Sequence, residues 1–275
     1  MEVKRESGLI QSFDGTDLFC AKDLVGSPSA VVVIAHGLAE HHKRYDYFTG
    51  KLNSFGYSLY RYDQRGHGKS GGERGYLPRY DTLFEDANVV VNYAKRENPN
   101  VPVFLFGHSM GGLTAVGYCI KYPGKVNGVI LSGTLCADFA GQLKNIPVEL
   151  DPVTKFPNNL ASLLSKDPEV VKAYEEDPMV IKEITIGAFV QLKKAVEWFN
   201  SDDNLQKIIY PILVLHGGAD MIVSPEDSKH LYNSISSEDK QIKIYEGLYH
   251  EILNEKAKDE IVDAIRDWIE KRLTC

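Results

Sequence analysis

The sequence predicts an α/β fold: a mostly parallel central sheet with helices on both faces and a helical cap, or lid, inserted after the sixth strand. Three observations carry this. Strand-like and helix-like patterns alternate along the chain, as parallel strands joined by crossover helices demand. Several strand segments are unbroken apolar runs, the pattern of strands buried on both faces. The alternation fails once, between Cys136 and Asn200, where Pro147, Pro152, Pro157, Pro168 and Pro178 punctuate short amphipathic pieces and no strand pattern is visible.

Taken in order, residues 9–24 read as an antiparallel hairpin turning at Asp14-Gly15, a common edge for a mixed sheet. Strands follow at residues 30–35 and 57–62. Residues 80–96 form a helix, because Leu83, Ala87, Val90, Val91 and Ala94 share one face, and such a stripe is core. The apolar run 101–106 is a strand, and a helical pattern runs from Leu113 to Lys121. Residues 126–132 make the sixth strand. After the insertion, residues 211–216 form an apolar strand, and Ser224-Pro225 starts a surface helix with a serine cap and a proline in its first turn. Residues 241–245 alternate as a strand. The last helix, 255–273, carries Ile261, Ala264, Ile265, Trp268 and Ile269 on one side, where Trp268 reads as packing. The expected organisation is one core from residues 1–135 and 201–275, with 136–200 as the cap.

Composition sets matching bounds. A chain of 275 residues can bury the core of one large α/β domain, and 43% hydrophobic residues argues against disorder. The net charge of −7, from 31 basic and 38 acidic residues, excludes the basic footprint of a nucleic-acid binder and tight attachment to anionic membranes. Cys20, Cys119, Cys136 and Cys275 have neither paired nor metal-ligand spacing and fit a reducing compartment. The N-terminal residues lack a signal peptide's apolar region, and no apolar run approaches the roughly 18 to 20 residues of a membrane span. The expected location is therefore cytoplasmic. No repeat or low-complexity tract occurs.

Chemistry enters at Gly107-His108-Ser109-Met110-Gly111, a Gly-x-Ser-x-Gly set between a buried strand and a helix. That is the context of a nucleophile elbow, whose strained turn requires small residues two positions to either side of the serine. A serine hydroxyl needs a base, and the base an orienting acid; on such a fold they follow in the order Ser, Asp/Glu, His. His230 lies within the surface helix, whereas His250 follows the strand 241–245 and the turn at Gly247, at the carboxyl end of a strand where catalytic groups gather. Asp220 follows the strand 211–216 in the same way, while Asp227 falls in the helix and Asp202 and Asp203 read as a cap. The expected triad is Ser109, Asp220 and His250. Oxyanion donors are expected from the backbone N–H of Met110, at the start of the elbow helix, and of Leu38, in the loop after the third strand. His36 reads as holding that loop by hydrogen bonding.

The segments His36-Gly37-Leu38-Ala39-Glu40-His41, Arg44-Tyr45, residues 63–70, residues 107–112 and Tyr245-Glu246-Gly247-Leu248-Tyr249-His250-Glu251 closely resemble the monoacylglycerol lipase family, the lysophospholipase-like group of serine hydrolases with the α/β-hydrolase fold. The resemblance spans nearly the whole chain, and His-Gly-x-x-Glu-His with Arg-Tyr behind it is far narrower than the elbow alone. It implies a serine esterase acting on glycerol monoesters of fatty acids, with the triad and oxyanion residues named above. It also implies that the loop 63–70 supports the site and that Tyr174, in a cap-like stretch, reaches the polar head of the substrate. Glu40 and Arg44 read as a salt-bridged pair bracing the oxyanion loop and as candidate contacts to glycerol. One departure is Leu253, apolar where some relatives carry a polar group.

Within the cap, Leu143, Ile146, Val148, Leu150, Phe156, Leu160, Leu163, Leu164, Ile181, Ile184, Ile186, Phe189 and Val190 either hold it to the core or line an acyl tunnel. Glu40, His41 and His42 lack the spacing of a metal site, and Lys69-Ser70 lacks the glycine spacing of a phosphate loop. No metal or cofactor is expected. The expected partner is a small lipid ester, with at most transient contact between cap and membrane. A lysophospholipase, thioesterase or broad carboxylesterase remains open, as does a non-catalytic binding protein on the same scaffold.

Overall fold

In the computed structural model an eight-stranded sheet runs through the molecule, and the strands' apolar character follows from what covers each face. The structure describes residues 2–273; Cys275 therefore lies outside the described residues, as do Met1 and Thr274. The chain runs β1 (Val3–Gln11), β2 (Asp17–Val25), β3 (Ala30–Ala35), α1 (Asp46–Ser54), β4 (Tyr57–Tyr62), α2 (Thr82–Glu97), β5 (Val103–His108), α3 (Met110–Lys121) and β6 (Gly128–Ser132). It continues through β7 (Lys155–Pro157), α4 (Ala161–Leu164), α5 (Pro168–Glu176), β8 (Glu183–Thr185) and α6 (Ile186–Phe199). The last part is β9 (Ile212–Gly217), α7 (Pro225–Ser234), β10 (Lys240–Tyr245) and α8 (Lys258–Glu270). The sheet order is β1-β2-β4-β3-β5-β6-β9-β10, with β2 antiparallel to both neighbours and every other pair from β4 to β10 parallel.

Alternate residues of the central strands feed two separate cores. Val31, Val33, Ala35 and Leu105 pack with Leu83, Ala87, Val90 and Val91 of α2 and Leu113 and Val116 of α3. Val32, Ile34, Phe104 and Phe106 pack with Phe48 and Leu52 of α1 and Ile261, Ile265, Trp268 and Ile269 of α8. With both faces covered, no strand position can be polar without cost, hence the unbroken apolar runs. The Trp268 ring meets Phe104 edge-on at 5.9 Å, a packing role.

The strand order also positions the site. From β3 the chain turns outward to β4, whereas from β5 it turns the other way to β6. The loops leaving β3 and β5 therefore part company, and a crevice opens at their carboxyl ends, the usual place for ligands in an open sheet. Ser109 follows β5 and Leu38 follows β3.

Three expectations need correction. β1 starts at Val3, not Leu9, because the hairpin ladder continues to Val3↔Val25 through exposed charged residues that carry no apolar period. The last helix begins at Lys258: Ile252–Asn254 form a 3₁₀ turn, and the Glu255 carboxylate accepts hydrogen bonds from the backbone N–H of Lys166 and Tyr249. On that helix Val262 is buried and Ala264 only half-buried. Finally, the segment after β6 does contain strands. β7 and β8 pair antiparallel, but each is three residues long, too short to show a period of two.

The segment leaves the core at a fixed point. Asp227 of α7, fully buried, accepts hydrogen bonds from the backbone N–H groups of Cys136, Ala137, Asp138 and Phe139 at 2.6–3.0 Å. It returns through α6, capped by the Thr185 hydroxyl, with Trp198 and Phe199 stacked against Phe84 of α2. Among the described residues no helix is long and apolar enough to cross a membrane.

Candidate active site

Ser109 stands between β5 and α3 with φ 54° and ψ −117°, a backbone state that side chains rarely adopt. Its N–H is held by the carbonyl of Ser132 at 2.9 Å, and its carbonyl starts the helix by accepting from Leu113 at 3.0 Å. The two flanking glycines answer different demands. A Cβ on Gly107 would come within 2.2 Å of the Gly111 carbonyl oxygen, across the turn as expected. A Cβ on Gly111 would instead strike the Ala35 carbonyl oxygen at 2.0 Å, so that glycine lets the elbow press against the end of β3.

His250 and Asp220 arrive from the ends of the neighbouring strands β10 and β9. His250 Nδ1 lies 2.6 Å from Asp220 Oδ2, and both side chains are buried. The carboxylate is held elsewhere as well: Oδ1 accepts from the N–H of Ile222 at 2.8 Å and of Val223 at 3.0 Å, and Oδ2 also meets His216 Nε2 at 3.1 Å. Burial alone would raise the proton affinity of Asp220, but the charge of His250 and the bonds from both imidazoles hold its carboxyl well below the usual range. Burial alone would lower His250, yet the Asp220 charge and hydrogen bond, together with the charges of Glu251 and Glu40, raise it above its ordinary value.

The loop after β3 is braced from below. His36 Nε2 accepts from the N–H of Gln64 at 2.9 Å, and the Gln64 side chain bridges the His36 carbonyl and the Thr114 hydroxyl. Burial pushes His36 down to about 4, so it stays neutral and serves as a strut. Asp63 accepts from His42 and from the N–H of Lys69, tying the 63–70 loop to the same corner. Leu38 faces the pocket beside Ser109. Met110 is the first residue of α3, so its N–H has no acceptor within the helix.

Ser109, Met110, His250, Leu38, Glu40 and Tyr174 line one cavity of about 710 Å³, its open mouth included, whose remaining wall is largely apolar: Leu135, Leu143, Leu160, Leu164, Phe189, Leu192, Ile222 and Val223, with Gly37, His108, Gln142 and Glu251. The apolar residues of the segment after β6 therefore divide. Leu143, Leu160, Leu164 and Phe189 face the cavity; Ile181, Ile184 and Ile186 are buried; Val148, Leu150 and Phe156 are exposed.

The polar part of the wall is a linked cluster. Glu40 accepts from the N–H of Gly37 at 2.5 Å, from the Tyr45 hydroxyl at 2.7 Å and from Arg44 Nε at 3.2 Å. Arg44 also donates to Glu251 and lies over the Tyr174 ring at 4.8 Å, while the Tyr174 hydroxyl accepts from Asn158. Arg44 does not line the main cavity itself; it lines a smaller one behind it, with Tyr45, His108, Leu253 and Asn254. His41 pairs with Asp177 and His42 with Asp63.

A family model described as serine aminopeptidase, S33, matches residues 26–257. A monoacylglycerol lipase of Mycolicibacterium smegmatis is 34% identical over 90% of either chain. A monoglyceride lipase of Rattus norvegicus is 30% identical over 94% of this chain and 89% of its own. Among solved structures, a Paleococcus ferrophilus monoacylglycerol lipase superposes with a TM-score of 0.80 at 32% identity, covering 93% of this chain and 99% of the other. The chain belongs to the monoacylglycerol lipase family of serine α/β-hydrolases. It is a serine ester hydrolase.

In this hydrolase two residues that bond to the surroundings of Ser109, Asp220 and His250 escaped the sequence reading. Glu251 supplies the carboxylate that shares Arg44 with Glu40, on the side where Leu253 had left the polar contacts open; Leu253 itself is buried. Its adjacency to His250 was the available signal. His216 reaches Asp220 from the strand β9, where it looked like the last residue of an apolar run.

Proposed function

We propose that this hydrolase cleaves fatty-acid monoesters of glycerol through an acyl-enzyme. Ser109 Oγ attacks the ester carbonyl while His250 accepts its proton, and Asp220 fixes the imidazole and offsets the charge it gains. The N–H groups of Leu38 and Met110 receive the developing oxyanion, where fixed dipoles act without reorganisation. His250 then protonates the departing glycerol oxygen. Water, deprotonated by the same imidazole, releases the fatty acid and restores the serine.

The observation that carries this reading is one cavity holding Ser109, a long apolar wall and a compact polar cluster. An acyl chain suits the wall, and hydroxyl groups suit Glu40, Tyr174 and Glu251. Arg44 is already shared by two carboxylates, which favours a neutral glycerol over the phosphodiester of a lysophospholipid. Residues 136–200 act as the cap, since Leu143, Leu160, Leu164, Tyr174, Phe189 and Leu192 all come from them. Exposed Phe139, Val148, Leu150 and Val153 give that cap a face for brief contact with a lipid surface. The free, buried Cys20, Cys119 and Cys136 suit the cytoplasm.

The test is kcat/KM across an acyl-length series of monoacylglycerols, below micelle formation, beside lysophospholipids, triacylglycerols and acetyl esters. Each added methylene should improve kcat/KM by at most about fourfold, for roughly 0.8 kcal/mol, until the wall is covered. A triacylglycerol cannot place three chains against one wall. A flat series, or a preference for acetate, would leave a small-ester carboxylesterase in place of a lipase.

The pH profile gives a second test. His250 must be neutral to act as base, and its folded value lies above 6.5, so kcat/KM should climb with pH through a midpoint above 6.5. Stability runs differently. The raised His250 favours the folded state fully below 6.5 and less as pH rises through its folded value. By contrast His36, His67 and His108, pushed by burial to about 4, 3 and 3, oppose folding once pH falls below 6.5. On acidification, activity should therefore fall before the thermal midpoint does. Coincident losses would show that unfolding, not the base, sets the profile.

A further inference from the structure

We propose that His216 is a positioning residue for hydrolysis: its Nε2–H holds the same Asp220 oxygen that receives His250, so one carboxylate oxygen is shared between two imidazoles. The proposal rests on the reading of Asp220 and His250 as acid and base. His216 is wholly buried near the end of β9. Its Nε2 lies 3.1 Å from Asp220 Oδ2 and 3.0 Å from the Val223 carbonyl oxygen. Both neighbours are acceptors, so Nε2 must carry the hydrogen. Nδ1, 2.6 Å from the Ser228 hydroxyl of α7, then accepts from it. Ser228 is itself wholly buried, and the ring is held in one tautomer from both ends.

The arrangement has two consequences. Asp220 receives four donors, two on each oxygen, and cannot rotate away from His250 without breaking several of them. The bond from His216 also draws charge from Oδ2, which weakens the pull of that oxygen on the His250 proton. The other groups around His250 are Glu251 beside it, Glu40 from the loop after β3, Arg44, which is bonded to both of those carboxylates, and His108, whose ring centroid lies 4.6 Å from its own. None of these touches His216, so a change confined to His216 reads its effect alone.

The experiment compares the pH dependence of kcat/KM in the wild type, His216→Leu and His216→Gln. Leucine removes the donor, leaving the charge of Oδ2 to His250 alone. The midpoint should rise by about one pH unit and kcat at neutral pH should fall by up to about tenfold. KM should change little, because His216 does not line the substrate cavity. Glutamine offers an amide N–H in its place and should return the midpoint to that of the wild type. Equal shifts in both variants would mean packing rather than donation, and unshifted midpoints in both would mean that His216 does not act on Asp220; either overturns the proposal. Should His216→Leu fail to fold, the ¹⁵N shifts of His216 in the wild type decide: an Nε2–H tautomer is expected, and an Nδ1–H tautomer overturns the assignment. Asp220→Asn run alongside separates the two layers. If it is fully active the acid itself is misassigned; if it is inactive while both His216 variants match the wild type, only the role of His216 falls.

Discussion

Ser109→Ala should abolish ester hydrolysis, with turnover lower by on the order of 10⁶, while the protein keeps its fold. The size follows from how a nucleophile and its base act together: once either is gone, the other contributes almost nothing. The fold should survive because the substitution deletes one half-buried oxygen at a position where alanine and serine face the same positive φ. The backbone bonds through Ser132 and Leu113 do not use that oxygen. Initial rates on a medium-chain monoacylglycerol, with circular dichroism as the control for folding, check this. More than a tenth of wild-type activity would remove Ser109 from the mechanism.

The second large effect is expected at Asp220→Asn, with turnover lower by roughly 10⁴. Both carboxylate oxygens are acceptors on two sides: Ile222 and Val223 N–H on Oδ1, His250 and His216 on Oδ2. An asparagine has one acceptor oxygen and one NH₂. If the oxygen faces the imidazoles, the NH₂ meets two backbone N–H groups; if it faces the backbone, the NH₂ meets two imidazole donors. Either choice sets donor against donor, and His250 loses both its tautomer and its compensating charge. Turnover numbers for the folded variant test this, and wild-type activity would reassign the acid.

The placement of Ser109, Asp220 and His250 at three strand ends was legible because each rests on a local pattern. Gly-x-Ser-x-Gly announces its turn, and apolar runs followed by Gly-Gly-Ala-Asp220 or by Gly247 announce theirs. The two-core sheet was legible for the same reason. What stayed hidden depends on partners far apart in the chain. Arg44 meets Glu251 across 207 positions, and Asp227 gathers the N–H groups of Cys136 to Phe139 across about 90, after the sequence reading had passed it over as a helix residue. No periodicity marks such pairs. The strands β7 and β8 were hidden by brevity, and His216 by standing where an apolar run ends. Tyr174 joined the site through its family resemblance alone; the fold brings it there by laying its ring beneath Arg44.

The proposed mechanism places the acyl group on the Ser109 hydroxyl, in this one cavity. Its most direct test is to treat the wild type with an active-serine phosphonate and locate the adduct by peptide mass mapping. One phosphonyl group per chain is expected, on the peptide containing Ser109, with labelling slowed by a long-chain monoacylglycerol and absent after Ser109→Ala. An adduct on another serine, or an unlabelled protein that still hydrolyses esters, would contradict that mechanism.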